Sequence, residues 1–253
     1  MRADGAPACY VRVTAGGRVA VALDTHAEDA RRMLANGSLY DAAARDPAAR
    51  ALQGRGVAYA VALPASGVHA VVRHNRHGGM LAPLTRDLFL PPTRAPRELD
   101  ISLRLRTLGI ATPEVLMYGT SPAPFPFRRA DVVTREVERG RDLAAFLAHG
   151  ASEEERRAAW SATRDLLRAM SEAGVRHRDL NVKNVLLAPA VRGLDAFLLD
   201  VDRVTFHARN DARVAAANVA RLLRSARKWR AERGAVFDER EITALGGLLE
   251  RTS

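Results

Sequence analysis

The sequence predicts an α+β chain in two lobes. An N-terminal extension and an antiparallel-sheet lobe occupy residues 1–135, and a reduced, mainly helical lobe occupies residues 136–253. Three observations predict this. In the first part, short apolar runs are punctuated by Gly, Pro and Asn, the pattern of strands joined by turns. In the second part, apolar residues recur at helical spacing behind capping signals, most clearly after Ser152. Among those helical stretches, the apolar runs Val185–Leu187 and Phe197–Leu199 are joined through Pro189 and Gly193 and read as a hairpin.

Composition bounds what such a chain can be. With 253 residues, 47% of them hydrophobic, it can bury a sizeable core. No apolar run approaches the ~20 residues of a membrane span. Met1–Ala8 lacks the apolar centre of a secretory signal, so a cytoplasmic location is expected. Cys9 is the sole cysteine, which excludes an internal disulfide and a thiolate metal cluster. The formal charge of +10, mostly arginine, implies an anionic partner: nucleic acid, a membrane surface or a phosphorylated substrate. A high-GC coding bias is the competing reading of that arginine.

Taken in order, Tyr10–Thr14 and Val19–Leu23 read as strands around Gly16-Gly17. Thr25 with Glu28 has the form of a capping box opening a helix that stops near Asn36-Gly37. The Ala- and Arg-rich stretch Asp41–Ala51 reads as a further helix, and residues 1–50 carry no assignable chemistry. Gly54 and Gly56 then precede two apolar strands, Val57–Leu63 and Val68–Val72, with a turn at Pro64–Gly67. A glycine pair before a strand–turn–strand lets backbone lie close over phosphates. Arg73 ends the third strand, and His74–Gly79 follows as a basic loop able to face an anion. Arg97–Leu108 is helical and stopped by Gly109; its Glu98 is placed to pair with Arg73. Pro113–Gly119 and Ala130–Thr134 complete the sheet, and Arg135–Gly140 joins the lobes. Asp142 caps a short helix to Leu147, and Ser152 with Glu155 forms a second capping box before a helix ending at Gly174.

The chemistry is concentrated in His177-Arg178-Asp179-Leu180-Asn181-Val182-Lys183-Asn184 and, beyond the hairpin, Asp200-Val201-Asp202. An acid opening a short polar loop, an Asn five residues later and a strand-borne Asp form the catalytic half of a phosphotransferase. Phosphoryl transfer from ATP needs a group that orients the acceptor hydroxyl and takes its proton, and Asp179 suits that task. It also needs Mg2+ held by a few hard oxygen ligands, which Asn184 and Asp200 supply. Lys183 is a point charge able to reach the transferred phosphate. His177 is expected to be structural. Arg73 stands where protein kinases carry a phosphate-clamping Lys; its fork can do that electrostatic task differently. The predicted architecture is therefore a bilobal, protein-kinase-like fold using ATP and magnesium. After Asp202 no Ala-Pro-Glu and no long activation segment follow, and about fifty residues remain. A small or lipid-linked acceptor is expected rather than a protein.

Asn218–Arg230 completes the pattern. Val219, Leu222, Leu223, Ala226 and Trp229 share one helical face while Arg221, Arg224, Arg227, Lys228 and Arg230 crowd the rest. Such a helix can lie on an anionic membrane or can simply pack on the large lobe. Aromatics do not interleave these cations, so nucleic acid is not the expected partner.

These residues resemble the lipopolysaccharide core kinases, the branch acting on 3-deoxy-D-manno-octulosonic acid (Kdo) above all. The likeness rests on Val72-Arg73-His74, Arg76, Gly78-Gly79, Arg97-Glu98, Asp179-Leu180-Asn181, Asn184–Leu187, Asp200–Arg203 and Asn218–Trp229, over roughly residues 50 to 230. The resemblance implies phosphorylation of a Kdo hydroxyl on a lipid A precursor at the cytoplasmic face of the inner membrane. It also implies Asp179 as base, Asn184 and Asp200 on metal, and Arg73 with Glu98 as clamp. Two alternatives stay open: a heptose or other small-alcohol kinase, and a pseudokinase or basic scaffold without turnover.

Overall fold

The computed structural model describes residues 7–52, 56–75, 88–90, 93–148 and 150–237. The chain divides into two compact units, one of Met1–Ser102 with Glu114–Glu136, the other of Leu103–Pro113 with Val137–Ser253.

The first unit is a seven-stranded sheet in which every neighbouring pair is antiparallel. β1 (Tyr10–Ala15) and β2 (Arg18–Leu23) form a hairpin, followed by α1 (Ala27–Ala35) and α2 (Leu39–Arg45). β3 (Arg50–Leu52), β4 (Ala58–Ala62) and β5 (His69–His74) come next, then α3 (Ala95–Thr107), β6 (Val115–Pro122) and β7 (Arg128–Arg135). The spatial order is β1-β2-β6-β7-β5-β4-β3. One sheet face buries Ala20, Ala22, Val61, Val72, Met117 and Val133 against Met33 and Leu34 of α1 and Leu39 of α2. Gly119 permits this approach: a Cβ there would lie 2.9 Å from Leu39 Cδ1.

Two sequence expectations are corrected here. Thr25 does not cap α1, which begins after a 3-10 turn at Asp24–His26 and has no side-chain cap. The reason is local competition: the Thr25 amide donates to Asp24 Oδ1 (2.8 Å), and Glu28 bonds Arg31 and Arg32 instead of reaching back. The second helix starts earlier than expected, behind a true capping box of Ser38 and Asp41, and Arg50–Leu52 is a strand.

Residues 1–50 also build polar anchors. Buried Asp29 accepts from His26 Nδ1 (2.9 Å) and from the amides of Ala65 (2.7 Å) and Ser66 (3.0 Å), pinning the β4–β5 turn. Burial alone would raise the Asp29 carboxyl, but these bonds outweigh it and hold it below the ordinary carboxylate value.

The second unit holds β8 (Arg141–Asp142), α4 (Leu143–Phe146), α5 (Glu153–Glu172), β9 (Val175–His177), β10 (Val185–Pro189), β11 (Leu194–Leu198), β12 (Val204–Phe206) and α6 (Ala212–Arg233). Asp142 caps α4, and the Ser152–Glu155 box opens α5, both as the sequence predicts. The strands form two small sheets, β11-β10-β8 and β12-β9. β10 and β11 are the expected hairpin, with Val185 opposite Leu198. α6 is capped by Asp211 and ends at Gly234 with φ +64°. It buries Val214, Ala215, Asn218, Val219, Leu222 and Ala226. Among the described residues, no helix is long and apolar enough to cross a membrane.

Candidate active site

The central loop leaves β9 at His177 and re-enters structure at β10. His177 is buried, and both ring nitrogens are engaged. Nε2 donates to the Leu199 carbonyl (3.0 Å), while Nδ1 accepts from the Asp179 amide (3.1 Å). These partners fix the neutral Nε2–H tautomer. Burial pushes the ring's pKa below the ordinary histidine value, the Leu199 bond and nearby carboxylates opposing only in part. His177 is thus a strut of the loop.

Asp179 is held from several sides. Its carbonyl accepts Asn181 Nδ2 (2.8 Å) and Asn184 Nδ2 (2.9 Å), so two side-chain amides clamp one peptide. Its carboxylate Oδ1 accepts Arg221 Nη2 of α6 at 2.5 Å. Asn181 spends its other end within the loop, Oδ1 accepting the Lys183 amide (2.9 Å).

Asn184 is 8% exposed, and its side-chain NH2 donates to Asp179, which leaves the side-chain Oδ1 as the end that can meet a ligand. The β10–β11 register brings Asp200 beside it: Val185 pairs with Leu198, and the Leu199 amide donates to the Asn184 carbonyl (2.9 Å). Asp200 takes a left-handed conformation, φ +57°. A carboxylate and an amide oxygen are hard donors of the kind magnesium accepts, and a magnesium site needs few of them. The donor set therefore fits that ion. Among the described residues no cluster of three or more His, Cys, Asp or Glu forms, so a dedicated all-protein cage is not present there.

Lys183 is engaged elsewhere, 2.5 Å from Asp142 Oδ2 and over the Trp229 ring at 5.7 Å. In the first unit, Arg73 on β5 and Glu98 on α3 form an ion pair. Arg73 Nη1 also donates to Asn75 Oδ1 (3.2 Å). Gly56 sits in the bend before β4, and Gly54 lies outside the described residues. His74 is not part of an anion-facing loop. It closes β5, bonded to Asp131 (2.6 Å) and stacked on Tyr40 at 3.6 Å. The remainder of that basic stretch, Arg76–Gly79, lies outside the described residues.

Sequence reasoning missed Arg221, Asn218 and Ser225. It placed Arg221 among the cations of a basic helix face, although Asn218, Arg221 and Ser225 recur at the helical spacing of a second, polar stripe.

A fixed acid on a short loop, two oxygen donors at a hairpin mouth and a strand–helix cation–carboxylate pair are the parts of a phosphotransferase. The profile of the lipopolysaccharide kinase (Kdo/WaaP) family matches residues 42–244, and the chain belongs to that family. It is thus a phosphotransferase acting on a sugar hydroxyl. A 3-deoxy-D-manno-octulosonic acid kinase of Actinobacillus succinogenes is 31% identical over 192 residues, 74% of this chain and 78% of that one. One of Pasteurella multocida is 29% identical over 198 residues, 76% and 80% of the two chains. A solved structure of WaaP in complex with acyl carrier protein superposes with TM-score 0.45 at 20% identity, over 80% of this chain and 86% of that one.

Proposed function

We propose that this protein is a bilobal, protein-kinase-like enzyme that transfers the γ-phosphoryl group of ATP to a hydroxyl of Kdo on a lipid A precursor. The observation that carries the reading is the fixed Asp179, its peptide clamped by Asn181 and Asn184 at the hairpin that bears Asp200. The Kdo acceptor is supported by the names of the two relatives.

Asp179 orients the acceptor hydroxyl and takes its proton as that oxygen bonds to the γ-phosphorus and the bond to the ADP oxygen breaks. Asn184 and Asp200 would hold magnesium, which neutralises charge on the phosphate oxygens. Arg73, steadied by Glu98 and Asn75, clamps the nucleotide phosphates, with Gly54 and Gly56 as the other nucleotide-binding residues. Lys183 would meet the transferred phosphate by exchanging Asp142 for it.

A lipid-borne acceptor calls for work at an anionic membrane surface, on the cytoplasmic side. Two features support this. The outer face of α6 exposes Arg224, Arg227, Lys228, Arg230 and Arg233. At the β6–β7 tip, Phe125 is 98% exposed between Pro124 and Pro126, three residues before exposed Arg128 and Arg129.

The test is transfer of labelled phosphate from magnesium ATP to Kdo-bearing lipid A precursor, beside the same lipid without Kdo, a heptosylated lipid and an Asp179→Ala control. Label on the Kdo lipid alone, lost in the variant, is expected. Label on the heptosylated lipid only would move the acceptor. Transfer undiminished in Asp179→Ala would remove the base assignment.

A further inference from the structure

The catalytic loop has an unusual partner. Four residues of α6, Asn218, Arg221, Ser225 and Trp229, lie three or four apart and so share one stripe of the helix. They meet the loop in chain order. Asn218 Oδ1 accepts the His177 amide (3.0 Å) and its Nδ2 donates to the Val175 carbonyl (2.8 Å). This buried amide pairs with β9 as another strand would, along a strand whose ladder partner is β12. Arg221 meets Asp179, Ser225 Oγ accepts the Val182 amide (3.2 Å), and Trp229 lies under Lys183. One helix therefore holds the loop from Val175 to Lys183.

Within this stripe Arg221 is the residue that meets the carboxylate read as the base. Lys183 is paired with Asp142, and the Asn181 side chain is consumed inside the loop. The Arg221 and Asp179 side chains remain 42% and 29% exposed, so their pairing adds little to folding. Its geometric effect is different. A carboxylate on a one-carbon stem rotates unless a donor fixes its plane, and a small misplacement of a reacting group lowers rate steeply.

We propose that Arg221 is a positioning residue for phosphoryl transfer, setting the Asp179 carboxylate toward the acceptor hydroxyl, with Asn218 and Ser225 fixing the backbone on either side. The inference rests on Asp179 being the base, as argued above.

The test compares Arg221→Met, Arg221→Lys and the control Arg164→Met, which alters an exposed arginine of α5, in the full-length protein. Arg221→Met is expected to lower kcat by about 10- to 100-fold while KM for ATP stays within about twofold, with partial recovery in Arg221→Lys. Added to Asp179→Asn, Arg221→Met is expected to cost nothing further, because the group it positions is already gone. An unchanged kcat in Arg221→Met, or an equal loss in the Asp179→Asn background, overturns the proposal. Crystal structures of the variants separate its failure from failure of the acceptor assignment. If the enzyme turns over no Kdo lipid, an Asp179 carboxylate turned from its parent orientation in Arg221→Met but not in Arg164→Met upholds the positioning role. An unmoved carboxylate in Arg221→Met refutes it.

Discussion

Replacing Arg73 with methionine removes the cation from a pair whose carboxylate partner is almost sealed: the Glu98 side chain is 5% exposed, that of Arg73 29%. Methionine keeps much of the arginine stem's volume, so the change is mainly electrostatic. Breaking a fully buried pair by deleting one partner costs about 3–5 kcal/mol, because the remaining charge loses its compensation. Arg73 keeps some contact with water, which places the expected loss lower, at about 2–3 kcal/mol. For a unit of this size that is roughly 6–12 °C in unfolding midpoint, at ~3–4 °C per kcal/mol. Glu98→Gln in the same background removes the buried charge itself, so the double variant should recover part of the loss. Activity should not follow: both Arg73→Met and the double variant lack the proposed phosphate clamp and should show raised KM for ATP and at least about 10-fold lower kcat/KM. Urea unfolding of the three proteins, followed by fluorescence and run beside steady-state kinetics, reads both quantities. If Arg73→Met proves as stable as the parent, or if Glu98→Gln makes it worse, the reasoning about a sealed carboxylate is refuted.

Further predictions follow from the second unit. Gly174 has φ +67°, and a Cβ there would collide with the carbonyls of His207 and Ala208, so Gly174→Ala should destabilise by about 3 kcal/mol or more, measured by chemical denaturation. His177 is buried neutral with a lowered pKa. Its contribution to stability is therefore complete above the unfolded value of about 6.5 and declines as pH falls from there through the folded pKa. Protonation would also set an N–H on Nδ1 against the Asp179 amide that donates to it, releasing the loop. An NMR titration of the His177 ring should show a midpoint below 6.5; a midpoint at or above that value would contradict the assignment.

Local signals were legible because their physics is local. Ser152 and Glu155 satisfy each other's amides within one turn, and the β10–β11 hairpin needs only two apolar runs and a turn. Thr25 and Glu28 show where that fails: the same letters found nearer partners in Asp24, Arg31 and Arg32. Asn184 and Asp200 could be placed side by side because one hairpin register joins them. The partner of Asp179 could not be read, since Arg221 lies 42 residues away and the contact depends on how α6 packs. Its arginines looked alike in composition, and only the fold separates Arg221 from Arg224. His74 was obscured for a similar reason: Tyr40 and Asp131, which hold it, come from distant segments.

The first hairpin has a protective role that its lack of chemistry conceals. β2 covers β6 from Met117 to Thr120, backbone that would otherwise form an open sheet margin. At the opposite margin β3 is only three residues long and begins with an arginine, a poor template for a foreign strand. A variant shortened to begin after α2 could keep every residue named for phosphoryl transfer and still present an uncapped ladder to its neighbours. For anyone trimming this protein, its beginning is first a matter of solubility.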